Sequence, residues 1–373
     1  MSDQPQKPLP PGATIGILGG GQLGRMTALA AANLGYRSHI FCPEAHGPAS
    51  QVTDLITVAD YADEEALTRF AGQVDVVTFE FENVPARCGE ILSQLVAVRP
   101  DPKVLHICQN RLREKDFLAS IKVPTTRYTE VSDPKALTRA LRDMKGPAVL
   151  KSAEFGYDGK GQVMVKPDSD VAAAWATMAG HAPTATGILE GFIDFTMEIS
   201  VVIARGLDGS MANYLPVENQ HRSHILDQTI APARISSHAA DRAEGIARRI
   251  AEALDLVGLI GVEMFVTADE EVLVNELAPR PHNSGHWTMD ACNTSQFEQF
   301  VRAVAGLPLG STERHSDAVM KNLIGAEAEG WREILSDPSA KLHLYGKAEA
   351  RPGRKMGHIN KLLPRRDRDR SRD

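Results

Sequence analysis

The chain has few of the residues that build secreted, membrane or metal-knuckle proteins. It holds 4 cysteines in 373 residues, Cys42, Cys88, Cys108 and Cys292, with no Cys-x-x-Cys spacing. That excludes a disulfide scaffold and a thiolate zinc site, and points to reduced thiols in a cytoplasmic protein. No apolar run approaches the ~20 residues of a membrane span, and no signal-peptide pattern opens the chain. Positive charge is not in excess: the formal net charge is -7. A general attraction to nucleic acid or membrane is therefore not expected, and any anionic ligand must be held by local basic groups. There is no Gly-x-Ser-x-Gly, no cysteine with a paired histidine and no Gly-Lys-Ser/Thr opening a helix. Serine and cysteine nucleophiles and a Walker loop are thereby set aside. Internal repeats and low-complexity tracts are missing too.

With 43% hydrophobic and 24% charged residues the composition is that of an ordinary globular protein. The length exceeds what one core usually supports, so two or three domains are expected. The Pro-rich start "MSDQPQKPLPPG" and the charged end "RRDRDRSRD" read as disordered termini, residues 1–13 and 364–373.

The stretch "TIGILGGGQLGRM" places a β-branched apolar run before Gly19-x-Gly21-x-x-Gly24, with a helical pattern through Met26, Leu29 and Ala30. A strand, a tight turn and a helix N-terminus in that order suit an anion. Glu44 falls about twenty residues past Gly24, where a nicotinamide-cofactor fingerprint has its acid. Taken alone, this start predicts a dehydrogenase.

Alternating strands and helices continue to about Val98, as in a parallel α/β unit. "RPDPKVLHICQN" reads as a linker, and "NRLREKDFLASIKVP" as a helix ended by Pro124. A second unit holds the strand "PAVLKS", the loop "AEFGYDGKGQ" and the strand "VMVKP". The helix that follows has Asp168 or Ser169 as its expected cap. A third unit, from about "GILEGFID", is rich in strands and has one strong helix, "DRAEGIARRIAEALDL".

Three stretches carry chemistry. In "GVEMFVTADEEVLVNELAPRPHNSGHW" two strands flank the polar turn Ala268–Glu271. Closing them as a hairpin with Thr267 facing Val272 puts Glu263 opposite Glu276. Like charges so placed are destabilising unless they share a cation, and such an oxygen-lined site suits Mg²⁺ carrying substrate phosphates. In "VLKSAEFGYDGKGQ", Lys151 ends a strand, and Gly156, Gly159 and Gly161 allow a loop of backbone N–H groups to fold over a phosphate. In "RPGRKMGH", with Lys347 upstream, four cations beside two glycines suit a monophosphate or a carboxylate.

These pieces, in this order, resemble the ATP-grasp superfamily. Within it, "GGGQLGRM", "FEFENVP", "FGYDGKGQ", "NELAPRPHNSGHWT" and "RPGRKMGHIN" resemble the N5-carboxyaminoimidazole ribonucleotide synthase family. The resemblance implies α/β and α+β architecture: a Rossmann-like N-terminal domain over 14–110, a linker helix and small lid domain over 111–189, and a C-terminal ATP-grasp domain over 190–363. It further implies a cytoplasmic, homodimeric carbon–nitrogen ligase of purine biosynthesis. Such an enzyme would carboxylate 5-aminoimidazole ribonucleotide with ATP and bicarbonate through carboxyphosphate, using Mg²⁺ and binding neither nucleic acid nor membrane.

By the same resemblance Arg111 and Lys151 contact ATP, and Gly156, Tyr157, Asp158, Gly159, Lys160, Gly161 and Gln162 form the lid. Glu190, Gly191, Phe192 and Ile193 line the adenine, Glu198 holds the ribose, His221 approaches the nucleotide, and Asn275 lies beside the phosphates. Glu263 and Glu276 bind the metal. Gln22, Glu80, Tyr157, Asp158, Lys347 and Arg354 contact the ribonucleotide, and Arg280 holds bicarbonate or carboxyphosphate. Lys151, Asp158 and Arg280 are the expected catalytic groups, with Asp158 as proton acceptor. The glycine loop then serves the ribonucleotide, and Glu44 is a surface acid. Another ATP-grasp ligase, such as a formate-using transformylase or a biotin carboxylase, explains the acid hairpin but fits "FEFENVP" and "RPGRKMGH" less well. An NAD-dependent oxidoreductase explains only the first hundred or so residues.

Overall fold

The computed structural model describes residues 7–154, 161–180 and 186–366. Among them the chain forms three sheets. The first is parallel, in the order β3-β2-β1-β4, from β1 (Thr14–Leu18), β2 (Arg37–Cys42), β3 (Leu55–Val58) and β4 (Val76–Phe79). Every residue of β1 is buried, as expected where helices cover both faces of a parallel sheet. The connections include α1 (Gln22–Asn33), α2 (Glu64–Ala71) and α3 (Ala86–Ser93).

The expected linker is largely helical. Pro102 opens α4 (Pro102–Cys108), where a missing N–H costs nothing, and the Asp101 carboxylate accepts from the Lys103 N–H at 2.9 Å. Then α5 (Arg111–Ser120) starts from Asn110, whose side chain accepts from the N–H groups of Leu112 and Arg113.

The second sheet, in the order β5-β8-β6-β7, is antiparallel and comprises β5 (Tyr128–Val131), β6 (Ala148–Ser152), β7 (Gln162–Val165) and β8 (Gly187–Gly191). With α6 (Pro134–Met144) and α7 (Val171–Ala179) it encloses its own small core, including Leu137, Leu150, Met178 and Leu189. The cap of α7 is Asp170, which accepts from Ala173 N–H at 3.0 Å, rather than Asp168 or Ser169.

The third sheet holds β9 (Phe195–Arg205), β10 (Met211–Asn213), β11 (Val217–Arg222), β12 (Ile225–Ala231), β13 (Gly258–Thr267), β14 (Val272–Ala278), β15 (Asp317–Ile324), β16 (Ala340–Leu344) and β17 (Lys355–Leu363). Its order is β14-β13-β9-β11-β12-β15-β17-β16, with β10 beside β9. The long helix α8 (Ser237–Ala253) packs its alanine and isoleucine face against β9 and β13.

A single apolar cluster runs from the first sheet into the third, joining Ile15, Met26 and Ile40 with Trp287, Phe297 and Phe300. Residues 7–13, expected to be disordered, take part in this junction. The Leu9 N–H donates to Ala305 O at 2.8 Å, and the Leu9 carbonyl accepts from the Tyr36 hydroxyl at 2.8 Å. Near the other end the Arg366 N–H reaches Asp317 Oδ2 at 3.2 Å, so the expected disordered tail is anchored at least that far. No helix among the described residues is long and apolar enough to cross a membrane.

Candidate active site

The acid hairpin forms from β13 and β14, and Glu263 stands opposite Glu276. The register by which they meet differs from the one counted along the sequence. Val272 faces Val266 rather than Thr267, and the offset persists to Met264 opposite Val274. Asn275 is then an extra residue, a bulge that resets the register and brings Glu276 back to Glu263. At the turn, the Thr267 N–H bonds Glu271 O at 3.0 Å and Glu270 takes φ 60°. The connection is therefore tighter than the four-residue loop expected. The bulge has a second effect: Asn275 and Glu276, consecutive in sequence, both line one cleft. A regular strand would send them to opposite faces.

That cleft has a volume of about 840 Å³ and lies where the three sheets meet. It gathers Gln22, Glu80, Arg111, Lys151, Gln162, Glu190, Gly191, Phe192, Ile193, Glu198, His221, Glu263, Asn275, Glu276 and Arg280. Lys347, Arg354 and Gly161 are not on its wall. Lys347 donates to Lys355 O at 2.7 Å, and Arg354 to Glu349 O at 3.2 Å. Gly156, Tyr157, Asp158, Gly159 and Lys160 lie outside the described residues.

Charges in the cleft are interlocked. Arg111 Nη1 meets Glu276 Oε2 at 2.9 Å, and His282 Nε2 meets Glu263 Oε1 at 2.9 Å. Burial pushes the Glu263 carboxyl up, but His282 and His221 outweigh it and hold it at about 2. Glu190 accepts from Lys151 Nζ at 2.6 Å and lies 3.8 Å from the ammonium of Lys115. Burial acts against its charge as well, yet Lys151, Lys115 and Arg111 hold it at about 2. His221 Nδ1 meets Glu198 Oε2 at 3.1 Å. Burial opposes the His221 charge, and Glu198 and Glu263 raise its pKa despite that. The Arg280 guanidinium forks onto both oxygens of Glu82. At the other end the wall is apolar: Phe195 and Phe265 stack with centroids 4.6 Å apart, near Met164 and Phe192.

The glycine loop has a different occupant from the one its pattern advertises. The carboxylate of Glu80 accepts from the Gly21 N–H at 2.5 Å and the Gly24 N–H at 2.7 Å. A Cβ on Gly19 or Gly21 would collide with that side chain. The N-terminus of α1 thus binds an anion from its own chain, where a dinucleotide pyrophosphate would need the same N–H groups. Glu44, the acid of the dehydrogenase reading, is exposed beyond the end of β2.

Lys355, one of the four cations of "RPGRKMGH" and its upstream Lys347, is on the wall. Glu82, His282, Asn283 and His286 on the wall, and Glu114 and Lys115 behind it, carry no individual signal in the sequence. Glu82 lies inside "FEFENVP", and His282 and His286 inside "NELAPRPHNSGHWT". The pair on α5 had one available signal: Arg111, Glu114, Lys115 and Leu118 share a face at helical spacing.

Among the described residues no group of three or more His, Cys, Asp and Glu is arranged for a metal ion. Two carboxylates nevertheless suit Mg²⁺, which usually keeps waters and substrate phosphates as its remaining ligands. Beside them Asn275 Oδ1 is buried with no hydrogen-bond partner, one more hard oxygen donor. The residues fit the ion.

Comparison with known proteins identifies the family. Family profiles match as a ribonucleotide synthetase preATP-grasp domain over residues 12–109, an ATP-grasp domain over 116–297, and a phosphoribosylaminoimidazole carboxylase C-terminal domain over 318–372. The N5-carboxyaminoimidazole ribonucleotide synthase of Brucella melitensis is 48% identical over 96% of this chain and 98% of its own length. This chain belongs to the N5-carboxyaminoimidazole ribonucleotide synthase family. The family's ATP-grasp and preATP-grasp fold is the one described above. A bifunctional purine synthesis protein of Dictyostelium discoideum is 49% identical over 94% of this chain, which spans 37% of that longer relative. Among solved structures, the Aspergillus clavatus synthase in complex with ADP and 5-aminoimidazole ribonucleotide is 30% identical. It superposes with a TM-score of 0.88 over 95% of this chain and 94% of its own.

Proposed function

We propose that this chain is an ADP- and phosphate-forming ligase that carboxylates the exocyclic amine of 5-aminoimidazole ribonucleotide, using ATP and bicarbonate. The observation that carries the reading is the opposed pair Glu263 and Glu276 in a cleft that also holds Arg111, Lys151 and Arg280. The Aspergillus relative, solved with ADP and the same ribonucleotide, supports it.

In this reading the adenine lies against Phe192, Phe195, Phe265 and Met164, near the backbone of residues 190–193, and Glu198 takes the ribose. Lys151 and Arg111 face the phosphates, Lys151 being steadied by Glu190. Glu263, Glu276 and Asn275 would hold Mg²⁺, which when bound neutralises phosphate charge. Arg280, aligned by Glu82, holds bicarbonate. One bicarbonate oxygen attacks the γ-phosphorus, ADP leaves, and carboxyphosphate remains. Its cleavage gives phosphate and CO₂, and the amine then forms the new N–C bond and loses a proton, which Asp158 accepts. Gln22, Tyr157 and Asp158 contact the ribonucleotide, and Lys347 and Arg354 join them by leaving the carbonyls of Lys355 and Glu349. Glu80 contributes through the glycine loop it holds, and residues 156–162 cover the phosphates. Catalysis is then mainly positioning and charge neutralisation in a site closed to water. The homodimer and cytoplasmic setting implied by the family resemblance belong to the same reading.

The test is phosphate release from Mg-ATP, with and without bicarbonate and 5-aminoimidazole ribonucleotide, with nicotinamide absorbance followed in parallel. Release that needs both co-substrates, together with loss of the free amine, is expected. Release indifferent to the ribonucleotide would move the acceptor to another small molecule.

A further inference from the structure

The bulge at Asn275 needs an explanation. An extra residue leaves backbone groups without ladder partners, and buried backbone groups must find others. Here the partners are the side chains of two consecutive residues on α5. Lys115 Nζ donates to Asn275 O at 2.8 Å and to Val274 O at 3.3 Å, with Thr125 Oγ1 at 2.8 Å. Glu114 Oε2 accepts from the Leu277 N–H at 3.0 Å. The bonds therefore bracket the bulge, two before Glu276 and one after it. On the same edge of β14, Val274 N–H donates to Pro124 O at 2.9 Å and the Thr125 hydroxyl to Val274 O at 2.8 Å.

Both α5 side chains are buried, Lys115 completely and Glu114 to 2% exposure. Burying an ammonium is costly, and an apolar residue of the same length would serve packing better. Glu190 at 3.8 Å offsets part of that cost. What an apolar side chain could not do is satisfy the Asn275 carbonyl, to which Lys115 donates, whereas the Val274 carbonyl also accepts from the Thr125 hydroxyl.

We propose that Lys115 and Glu114 are positioning residues, a two-sided clamp that holds the Asn275 bulge and thereby keeps Glu276 and Asn275 on the cleft wall beside Glu263. They touch no substrate; they act through β14. The inference rests on the reading of Glu263 and Glu276 as the metal-holding pair.

Two readouts test it on the full chain. The first is binding of Mn²⁺ with ADP, followed by electron paramagnetic resonance, alongside binding of ADP without metal by calorimetry. The second is hydrogen exchange at the Leu277 amide. Lys115→Met and Glu114→Met are expected to hold Mn²⁺ about 10-fold more weakly, in the range seen when outer partners of metal ligands are lost. ADP binding without metal should be unchanged, and the Leu277 amide should exchange faster. Glu114→Gln keeps an oxygen for that N–H and should restore both readouts. Unchanged Mn²⁺ affinity in the two methionine variants, or a Glu114→Gln no better than Glu114→Met, overturns the clamp. Should Lys115→Met fail to fold, the Glu114 pair decides. Failure of the wild-type protein to hold Mn²⁺ with ADP would instead overturn the metal reading, and Leu277 exchange would still judge the clamp.

Discussion

Glu190 and Glu276 are both cleft carboxylates, and each answers to a different experiment. The unfolded glutamate titrates near ~4.3, whereas Glu190 in the fold is held at about 2 by Lys151, Lys115 and Arg111 against the opposing effect of burial. A depressed carboxyl stabilises the fold above its unfolded pKa and loses that contribution as pH falls through the folded value. The stability difference between the wild-type protein and Glu190→Gln should thus be constant above pH ~5 and change steadily between ~4.5 and ~2. Urea denaturation across that range reads it, and a difference flat down to pH ~2 would refute the ion cluster. Glu276 is more open, with 38% of its side chain exposed. Glu276→Gln keeps the shape and one oxygen but removes the charge facing Arg111, so folding stability should change by no more than about 1 kcal/mol. Turnover, measured by phosphate release, should fall at least ~100-fold, as when a preorganised charge contact is deleted.

At the scale of the element, the strand–turn–helix at β1 and α1 is legible in "TIGILGGGQLGRM" because apolar runs and glycine spacing are local signals. Its ligand is not, because the anion comes from Glu80, whose carboxylate lies 59 positions along the chain from Gly21. Glu80→Ala should leave two helix N-terminal N–H groups unsatisfied and cost about 1–3 kcal/mol. Gly21→Ala displaces the same carboxylate, so the double variant should lose little more than either single one, a non-additivity that denaturation measures. Full additivity would mean that the glycines serve something other than Glu80. The acid hairpin teaches the same lesson. The facing of Glu263 and Glu276 is legible although the counted turn is one residue too long, because the bulge, invisible in "VLVNELA", offsets the error. Glu114 and Lys115 are not legible as interior residues, because a charged stripe on a helix ordinarily faces solvent, and only β14 packed against it makes the stripe an interior. Helix α4 is masked in the sequence by Pro100 before it and by its own Pro102, which sits where helices accept it.

Across the whole molecule, sequence units and buried cores divide the chain differently. A break near residue 110 is visible in composition, yet the cluster of Ile15, Met26 and Ile40 with Trp287, Phe297 and Phe300 crosses it. The Arg99 guanidinium, buried, donates to Val304 O at 2.6 Å, and the Gln51 amide to Gly346 O at 2.6 Å. The sheet of β5 to β8 has a separate core. Its ties to the rest are mainly polar: Arg111 N–H to Ala153 O at 2.8 Å, Asn110 to Glu154 at 3.0 Å, and the Lys115–Glu190 ion pair. Shared apolar burial couples unfolding, and regions with few such contacts open at lower free energy. Amide exchange should therefore show β1, β2 and β4 opening together with β9, β13 and the helix Gln296–Ala305, at one common free energy. The β5–β8 sheet should open earlier on its own. Mg-ADP should slow exchange chiefly in β6 and β8, which carry Lys151 and Glu190. Exchange of residues 14–98 as a unit ahead of β9 and β13 would show instead that the N-terminal sheet stands alone, and that the cleft joins two independent bodies rather than one rigid frame and a separate lid.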